Sequence, residues 1–217
     1  MRLIFLPGMG ADERLFCFQR PDFANMEVLT WQPPHDGESL PQYAVRLASE
    51  LTRDPPFALV GVSLGGMVAL EMAPVLRPVA VILIASTPRP LPGYLRLLAS
   101  GARTLPSPKR LGPLRPIASW LLGPLSAPAR AVFDEMYRDA SPPFIRWACS
   151  AVAQWKGPFD TPAPIHRIHG SADRLIRAHS ADVDRVVAGG GHLINLTHPG
   201  EVNDFIRSVL LDHRQAR

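Results

Sequence analysis

The sequence predicts an α/β protein with an open, mostly parallel sheet of about six strands, flanked by helices and carrying a helical insertion. Short apolar runs alternate with longer amphipathic ones, as strands and helices do in an α/β layer. The chain has 217 residues, of which 47% are hydrophobic, so it can bury a sizeable core. In addition, 14 of the 24 prolines lie between residues 88 and 164, which sets that block apart from the rest.

The elements of the α/β part follow from the spacing of apolar residues. We predict strands at residues 3–6, 27–31, 58–62, 79–85, 165–169 and 183–187. Helices are predicted at residues 40–52, 64–76 and 199–211. The last of these begins at Pro199, where proline suits a helix, and its apolar stripe runs from Val202 to Leu210.

The proline-rich block shows helical patterns and no strand pattern. Apolar stripes at helical spacing cover residues 129–137 and 144–155, and shorter helical pieces are expected at residues 91–98 and 117–122. We therefore divide the chain into a core, residues 1–87 and 161–217, and a helical insertion, residues 88–160.

Charge and composition argue against several classes of function. The net charge of +4 invites a nucleic-acid interpretation, but the excess is spread through proline-rich sequence without a basic helix face or an aromatic RNA-binding signature. No apolar run approaches the roughly 18 residues of a membrane helix, and the start lacks the apolar core of an export signal. We expect a soluble, cytoplasmic protein that binds neither nucleic acid nor membrane; the sequence does not predict its oligomeric state.

The sequence predicts neither a disulfide framework nor a metal site. Cys17 and Cys149 are not paired in a C-x-x-C motif, so two free thiols in or near the core are expected. His166 and His169 lie three apart on a predicted strand, where they would face opposite sides. We expect no metal and no organic cofactor.

A G-x-S-x-G motif stands between a predicted strand and a predicted helix, with Ser63 at its centre between Gly61 and Gly65. A sharp turn there lifts the serine hydroxyl out of the sheet, and glycines two before and two after it avoid collisions. We predict Ser63 as a nucleophile; the alternative for the motif alone is an ordinary glycine-rich turn that closes a strand.

Two further residues have the properties of partners for Ser63. Asp173 and His192 each follow a different predicted strand, so nucleophile, acid and base occur in a sensible order along the chain. Taken singly, the first is compatible with a turn residue and the second with a surface histidine. Together they predict His192 as general base and Asp173 as the acid that orients it. Asp182 and Asp184 are the only other acidic residues between the strand predicted at residues 165–169 and His192.

Attack by serine on a carbonyl creates an oxyanion that needs hydrogen-bond donors. The Leu64 amide, directly after the nucleophile, is one candidate. The other is expected in residues 6–10, after the first strand, where we predict the Met9 amide with Gly10 as the alternative. This loop is neither a G-x-G-x-x-G nor a Walker sequence, which disfavours a phosphate cradle.

These motifs resemble those of the α/β-hydrolase superfamily over nearly the whole chain. They are PGMG at 7–10, GVSLGG at 61–66, HGSAD at 169–173 and GGGHL at 189–193. The resemblance implies a triad of Ser63, Asp173 and His192, and a helical lid formed by residues 88–160. Many relatives begin the loop after the first strand with His-Gly where this chain has Pro7-Gly8. The chain also begins at what looks like the third family strand, in keeping with a short sheet.

Three functions fit this pattern. The first is a serine hydrolase that cleaves a carboxylic ester or thioester of a small to medium acyl group through an acyl-enzyme. The net charge of +6 over residues 88–163 favours an anionic acyl group or a phosphate-bearing carrier. The second uses the same triad for lyase or perhydrolase chemistry. The third is a non-catalytic binding protein on the hydrolase scaffold, which would require the loss of a triad position.

Overall fold

A computed structural model of the chain contains one sheet of six strands with helices on both faces. It describes residues 1–52, 54, 56–102, 120–158, 160–177 and 182–215. The strands are β1 (Arg2–Leu6), β2 (Met26–Val28), β3 (Phe57–Val62), β4 (Val81–Ile84), β5 (Ile165–Gly170) and β6 (Arg185–Val187). All neighbours pair in parallel, in the order β2-β1-β3-β4-β5-β6. The predicted fold class is confirmed.

Helices occupy the segments in which helical spacing was found, and one short helix, Ile194–Thr197, was not predicted. They are α1 (Leu40–Ser49), α2 (Leu64–Leu76), α3 (Gly93–Ala102), α4 (Ala127–Asp139), α5 (Pro142–Gln154), α6 (Ile194–Thr197) and α7 (Pro199–Gln215), with a short 3-10 turn at Glu13–Phe16. Of the helical piece predicted at residues 117–122, residues 120–122 are helical and the others lie outside the described residues. Within the described part of the chain, no helix combines the length and apolar character needed to cross a membrane.

The strand order reverses between β1 and β3. The connection after β1 leads outward to β2, and the chain then returns to place β3 on the other side of β1. At such a reversal the loops that follow the two central strands diverge and leave a crevice at the carboxyl ends of the strands. Residues 7–10 and Ser63 directly follow these two strands, so both lie at this crevice.

The core has two layers, one on each face of the sheet. Alternate residues of a strand contribute to different layers: Leu59 packs with helices α1 and α2, and Val60 packs with helix α7. Because β3 is buried on both faces, it reads in the sequence as a continuous apolar run.

Several boundaries differ from the predicted ones, and two of these differences have a clear local reason. Strand β2 ends at Val28 because the chain then leaves the sheet toward the loop after β1. The last hydrogen bond to β1 is from the amide of Leu29 to the carbonyl of Phe5 (2.8 Å). Helix α3 begins at Gly93, two residues later than predicted, because the residue before Pro92 is disfavoured in helical conformation.

The cysteines and the strand histidines lie as the sequence predicts. Cys17 and Cys149 are free thiols, the second one buried. The ring of His166 lies against His213 of helix α7, whereas His169 contacts Asp173, so the two histidines face opposite sides of β5.

A partly buried hydrogen bond links helix α2 to the end of helix α5. The carboxylate of Glu71 accepts from the indole Nε1 of Trp155 at 2.6 Å. Burial raises the pKa of Glu71, and this outweighs the lowering effect of the indole hydrogen bond. With a pKa above that of the unfolded chain, Glu71 stabilises the fold at low pH, and this contribution is lost as the pH rises through the folded pKa.

We therefore expect Glu71→Gln to raise the melting temperature at pH 7 to 8. Glutamine keeps an oxygen for the Trp155 indole and carries no charge to desolvate. The gain should disappear near pH 3, below the ordinary pKa of a glutamate, where Glu71 is protonated in both states. Calorimetric melting across this pH range, with the exposed Glu135→Gln as the matched control, measures the effect. A gain that is constant with pH would contradict the titration of Glu71.

Candidate active site

Ser63 occupies a strained turn between β3 and α2. Its backbone has φ 53° and ψ −117°, a left-handed geometry that residues with side chains rarely adopt. The Ser63 carbonyl accepts from the Ser86 hydroxyl at 2.6 Å, and its amide donates to the Ile84 carbonyl at 3.0 Å. Both bonds tie the turn to the end of β4. The turn thus holds the serine at the N-terminus of α2, where helix amides have no partner inside the helix.

The glycines of the G-x-S-x-G motif are required by close backbone contacts. A Cβ atom on Gly61 would lie 2.4 Å from the Cα of Gly66, and one on Gly65 would lie 2.1 Å from the carbonyl oxygen of Leu6. The second contact joins the turn that holds Ser63 to the end of β1. The glycines therefore let the turn pack directly against the loop that is predicted to carry the oxyanion donor.

Asp173 and His192 are joined by a buried hydrogen bond. The Nδ1 atom of His192 lies 2.8 Å from Oδ2 of Asp173, and both side chains are almost completely buried. A carboxylate can only accept, so the Nδ1 of His192 carries the proton. The Nε2 atom of a neutral His192 is then an unprotonated base, which is the tautomer that a general base needs.

The Asp173 carboxylate receives hydrogen bonds on both oxygens. Its Oδ1 accepts from the amides of Leu175 (2.9 Å) and Ile176 (3.0 Å). Burial alone would raise the pKa of Asp173, but the charge of a protonated His192 and the hydrogen bonds from His169, His192 and the Ile176 amide outweigh it. The pKa of Asp173 is thus held well below its usual range, and the carboxyl stays ionised beside the His192 imidazole.

A second histidine shares the Asp173 carboxylate. The Nε2 of His169 lies 3.0 Å from Oδ2 of Asp173 and 2.5 Å from the carbonyl oxygen of Ile176, and the residue is fully buried. Both partners are acceptors, so Nε2 carries the proton, and the buried Nδ1 has no partner among the described residues. Sequence reasoning missed this contact, although His169 opens the HGSAD motif.

The structure joins the predicted acid to the predicted base, but it does not join the base to the nucleophile. Ser63 makes no side-chain hydrogen bond to His192; both are among the described residues. Of the two other acids in this segment, Asp182 pairs with Arg89 and Asp184 accepts from the Arg167 amide.

The loop after β1 forms a tight turn beside Ser63. A Cβ on Gly8 would lie 3.7 Å from the Cβ of Ser63. The amide of Ala11 donates to the carbonyl of Gly8 (3.2 Å), and Gly10 has φ +71° while Met9 has a negative φ. This combination is a type II turn, in which the third residue is glycine. The predicted donor, the Met9 amide, makes no hydrogen bond to a described residue.

The same carbonyl of Gly8 receives a second donor. Nε1 of the Trp31 indole lies 3.2 Å from it, across the gap between the ends of β2 and β1. The sequence gives Trp31 no predicted role in the site, because there it is the last residue of the strand predicted at residues 27–31.

The helices inserted between β4 and β5 contact both sides of the site. The thiol of Cys149 in α5 lies 3.7 Å from the sulfur of Met9, and Ile145 packs against Gly10. At the other side, the amide of His192 donates to the carbonyl of Leu122 at 2.7 Å. The insertion therefore supports the loop after β1 and the loop that carries His192.

A groove of about 610 Å³ opens next to the turn after β1. Gly10 forms one side, Trp31 and Phe144 form an apolar wall, and Arg14 lies at the rim in ion pairs with Asp12 and Asp139. A groove of this volume accommodates a small organic molecule. Among the described residues, no group of three or more histidine, cysteine or acidic side chains is arranged to hold a metal ion.

Comparison with known proteins matches most of the chain to one family. Residues 3–205 match the model of the alpha/beta hydrolase family. No curated protein matches the sequence significantly.

Solved structures share the fold at low sequence identity. A thermophilic esterase from Thermogutta terrifontis is 17% identical, with a TM-score of 0.75 over 98% of this chain and 90% of that one. MenH from S. aureus is 18% identical, with a TM-score of 0.76 over 99% and 94%. YbtT, a type II thioesterase from the yersiniabactin pathway, is 18% identical, with a TM-score of 0.61 over 99% and 93%. At these identities the likeness establishes the fold.

Proposed function

Since the chain belongs to the alpha/beta hydrolase family, we propose that it is a serine hydrolase that cleaves a carboxylic ester or thioester of a small to medium acyl group. The observation that carries this proposal is the buried hydrogen bond from His192 Nδ1 to Asp173, which leaves Nε2 free to act as the base. This pair and the strained turn of Ser63 both follow the carboxyl ends of strands of the same parallel sheet.

In this reaction the Ser63 hydroxyl attacks the acyl carbon while His192 Nε2 takes its proton. The resulting oxyanion accepts from the amides of Leu64 and Met9, and the neighbouring Asp173 stabilises the protonated imidazole. Collapse of the tetrahedral intermediate breaks the bond to the alcohol or thiol, which leaves with the proton from His192. Water then attacks the acyl-Ser63 ester by the same steps and releases the acid.

Residues 88–160 act as a helical lid in this proposal. Its support comes from the contacts that the inserted helices make at both sides of the site, through Cys149 to Met9 and through Leu122 to His192. Part of the lid, residues 103–119, lies outside the described residues.

The substrate class rests on chemistry and on the relatives. The solved structures of similar fold include esterases and a type II thioesterase. The +6 charge of residues 88–163 favours an acyl group with a carboxylate or a carrier with a phosphate. The alternative is lyase or perhydrolase chemistry with the same three residues, in which a lyase would use His192 without acylating Ser63. A non-catalytic binding protein is a further alternative.

The test measures the turnover of neutral p-nitrophenyl esters, from acetate to decanoate, and of half-esters of dicarboxylic acids. Mass spectrometry of quenched reactions detects any acyl adduct on Ser63. We expect turnover with an acyl adduct on Ser63, and faster cleavage of half-esters than of neutral esters. Turnover of neutral esters alone would refute the anionic substrate. Labelling of Ser63 by a fluorophosphonate without ester turnover would favour lyase chemistry, and neither labelling nor turnover would favour a binding protein.

A further inference from the structure

The carbonyl of Gly8 is held from two directions. The Ala11 amide donates to it from within the turn, and the Trp31 indole donates to it from the loop after β2, each at 3.2 Å. Pro7, the residue before Gly8, has no side-chain donor of its own. The indole therefore supplies a side-chain anchor that the loop itself lacks.

This anchor fixes the direction of the Met9 amide. The carbonyl of Gly8 and the N–H of Met9 belong to the same peptide unit, which is planar and trans, so they point in opposite directions. With the carbonyl held toward Trp31 and the inside of the turn, the Met9 N–H points away from them. A rotation of this peptide would break the indole hydrogen bond and turn the Met9 donor at the same time.

The indole is itself immobilised by aromatic packing. Trp31 stacks on Phe144 of α5, with ring centroids 5.5 Å apart and planes 26° apart, and lies 6.1 Å from the ring of Tyr43 in α1. The Tyr43 hydroxyl donates to the carbonyl of Gln32 at 2.8 Å, which fastens the residue next to Trp31. The ring that holds the oxyanion loop is thus braced by a core helix and by an inserted helix.

From this geometry we propose that Trp31 is a positioning residue of the oxyanion hole, which aims the Met9 amide through the Gly8 carbonyl. The proposal rests on the function given above, because an aimed amide matters only where an oxyanion forms. The indole contributes to the transition state and little to ground-state binding, so its loss should lower kcat and leave KM nearly unchanged.

The test compares Trp31→Phe with Trp147→Phe. The first keeps an aromatic ring against Phe144 and removes the donor to Gly8. The second removes a similar indole donor, from Trp147 to the carbonyl of Glu38 (2.7 Å), in the same aromatic cluster but away from the loop. Loss of an oxyanion donor outright costs about 10²- to 10³-fold in kcat, so loss of its anchor should cost about 10-fold. We expect that loss for Trp31→Phe with KM changed less than twofold, and a change below twofold for Trp147→Phe.

Amide hydrogen exchange of residues 8–11 is the second readout, because it does not depend on activity. We expect faster exchange in Trp31→Phe only. Equal losses of kcat in the two variants, a change in KM alone, or unchanged loop exchange would overturn the role of Trp31. If the wild type turns over no ester, the hydrolase proposal fails, while the exchange measurement still decides whether the indole holds the loop.

Discussion

Ser63→Ala should lower ester turnover by at least about 10⁴-fold while the protein stays folded. The reaction needs the hydroxyl as its nucleophile, and no neighbouring side chain can replace it in the turn. The fold does not need this hydroxyl, since it has no hydrogen-bond partner among the described residues. Steady-state turnover of the best ester, beside urea unfolding of the same samples, measures both parts.

Ser63→Gly serves as the control that separates chemistry from backbone strain. It removes the same hydroxyl, but glycine adopts φ 53° without the steric cost that serine bears. We expect it to be as inactive as the alanine variant and more stable than the wild type by about 1 kcal/mol. Turnover by either variant above about 1% of the wild-type rate would remove Ser63 as the nucleophile.

Asp173→Asn should lower kcat/KM by about 10⁴-fold, because an asparagine cannot accept from all the donors that the carboxylate binds. Each oxygen of Asp173 now faces two donors: His169 and His192 on one side, and the amides of Leu175 and Ile176 on the other. An asparagine can offer an oxygen to only one side. The backbone amides are fixed, so the NH₂ group turns toward the histidines and favours the His192 tautomer with its proton on Nε2, which cannot act as a base.

Asp182→Asn is the matched control, since Asp182 pairs with Arg89 and does not touch either histidine. It should keep turnover within about twofold. The pKa of Asp173 lies below that of the unfolded chain, so its ionised form stabilises the fold at neutral pH and this contribution fades as the pH falls toward the folded pKa. Asp173→Asn should therefore lose less stability than the wild type between pH 6 and pH 3. A loss of turnover equal to that of Asp182→Asn would refute Asp173 as the orienting acid.

The sequence was most informative where a local pattern decides the structure. Helix α2 runs from Leu64 to Leu76 as predicted, because the glycine turn and the apolar run mark both its ends. The pairing of Asp173 with His192 was also expected, since each follows a strand at the same edge of a parallel sheet. The catalytic roles assigned to Ser63, Asp173, His192 and the Met9 and Leu64 amides remain predictions until the variants are measured.

Contacts between residues far apart in the sequence could not be predicted from local patterns. Trp31 and Gly8 meet because β2 stops early and lies beside β1, and a propensity argument extends that strand to residue 31 instead. The sharing of one carboxylate oxygen by His169 and His192 depends on where the loop after β5 folds back. No periodic pattern predicts either contact, because each joins single residues through geometry that the whole sheet sets.

The inserted helices contact both the turn after β1 and the loop that carries His192, and this limits how the segment between β4 and β5 can be exchanged. Engineers who want a different substrate range would naturally transplant the segment between β4 and β5 from another member of the family. Here the graft would also replace Ile145 and Cys149, which press on the turn after β1, and Leu122, whose carbonyl holds the His192 amide. Grafts that retain these three positions should preserve the rate on small esters, whereas wholesale exchange should lose rate even on substrates too short to reach the transplanted helices.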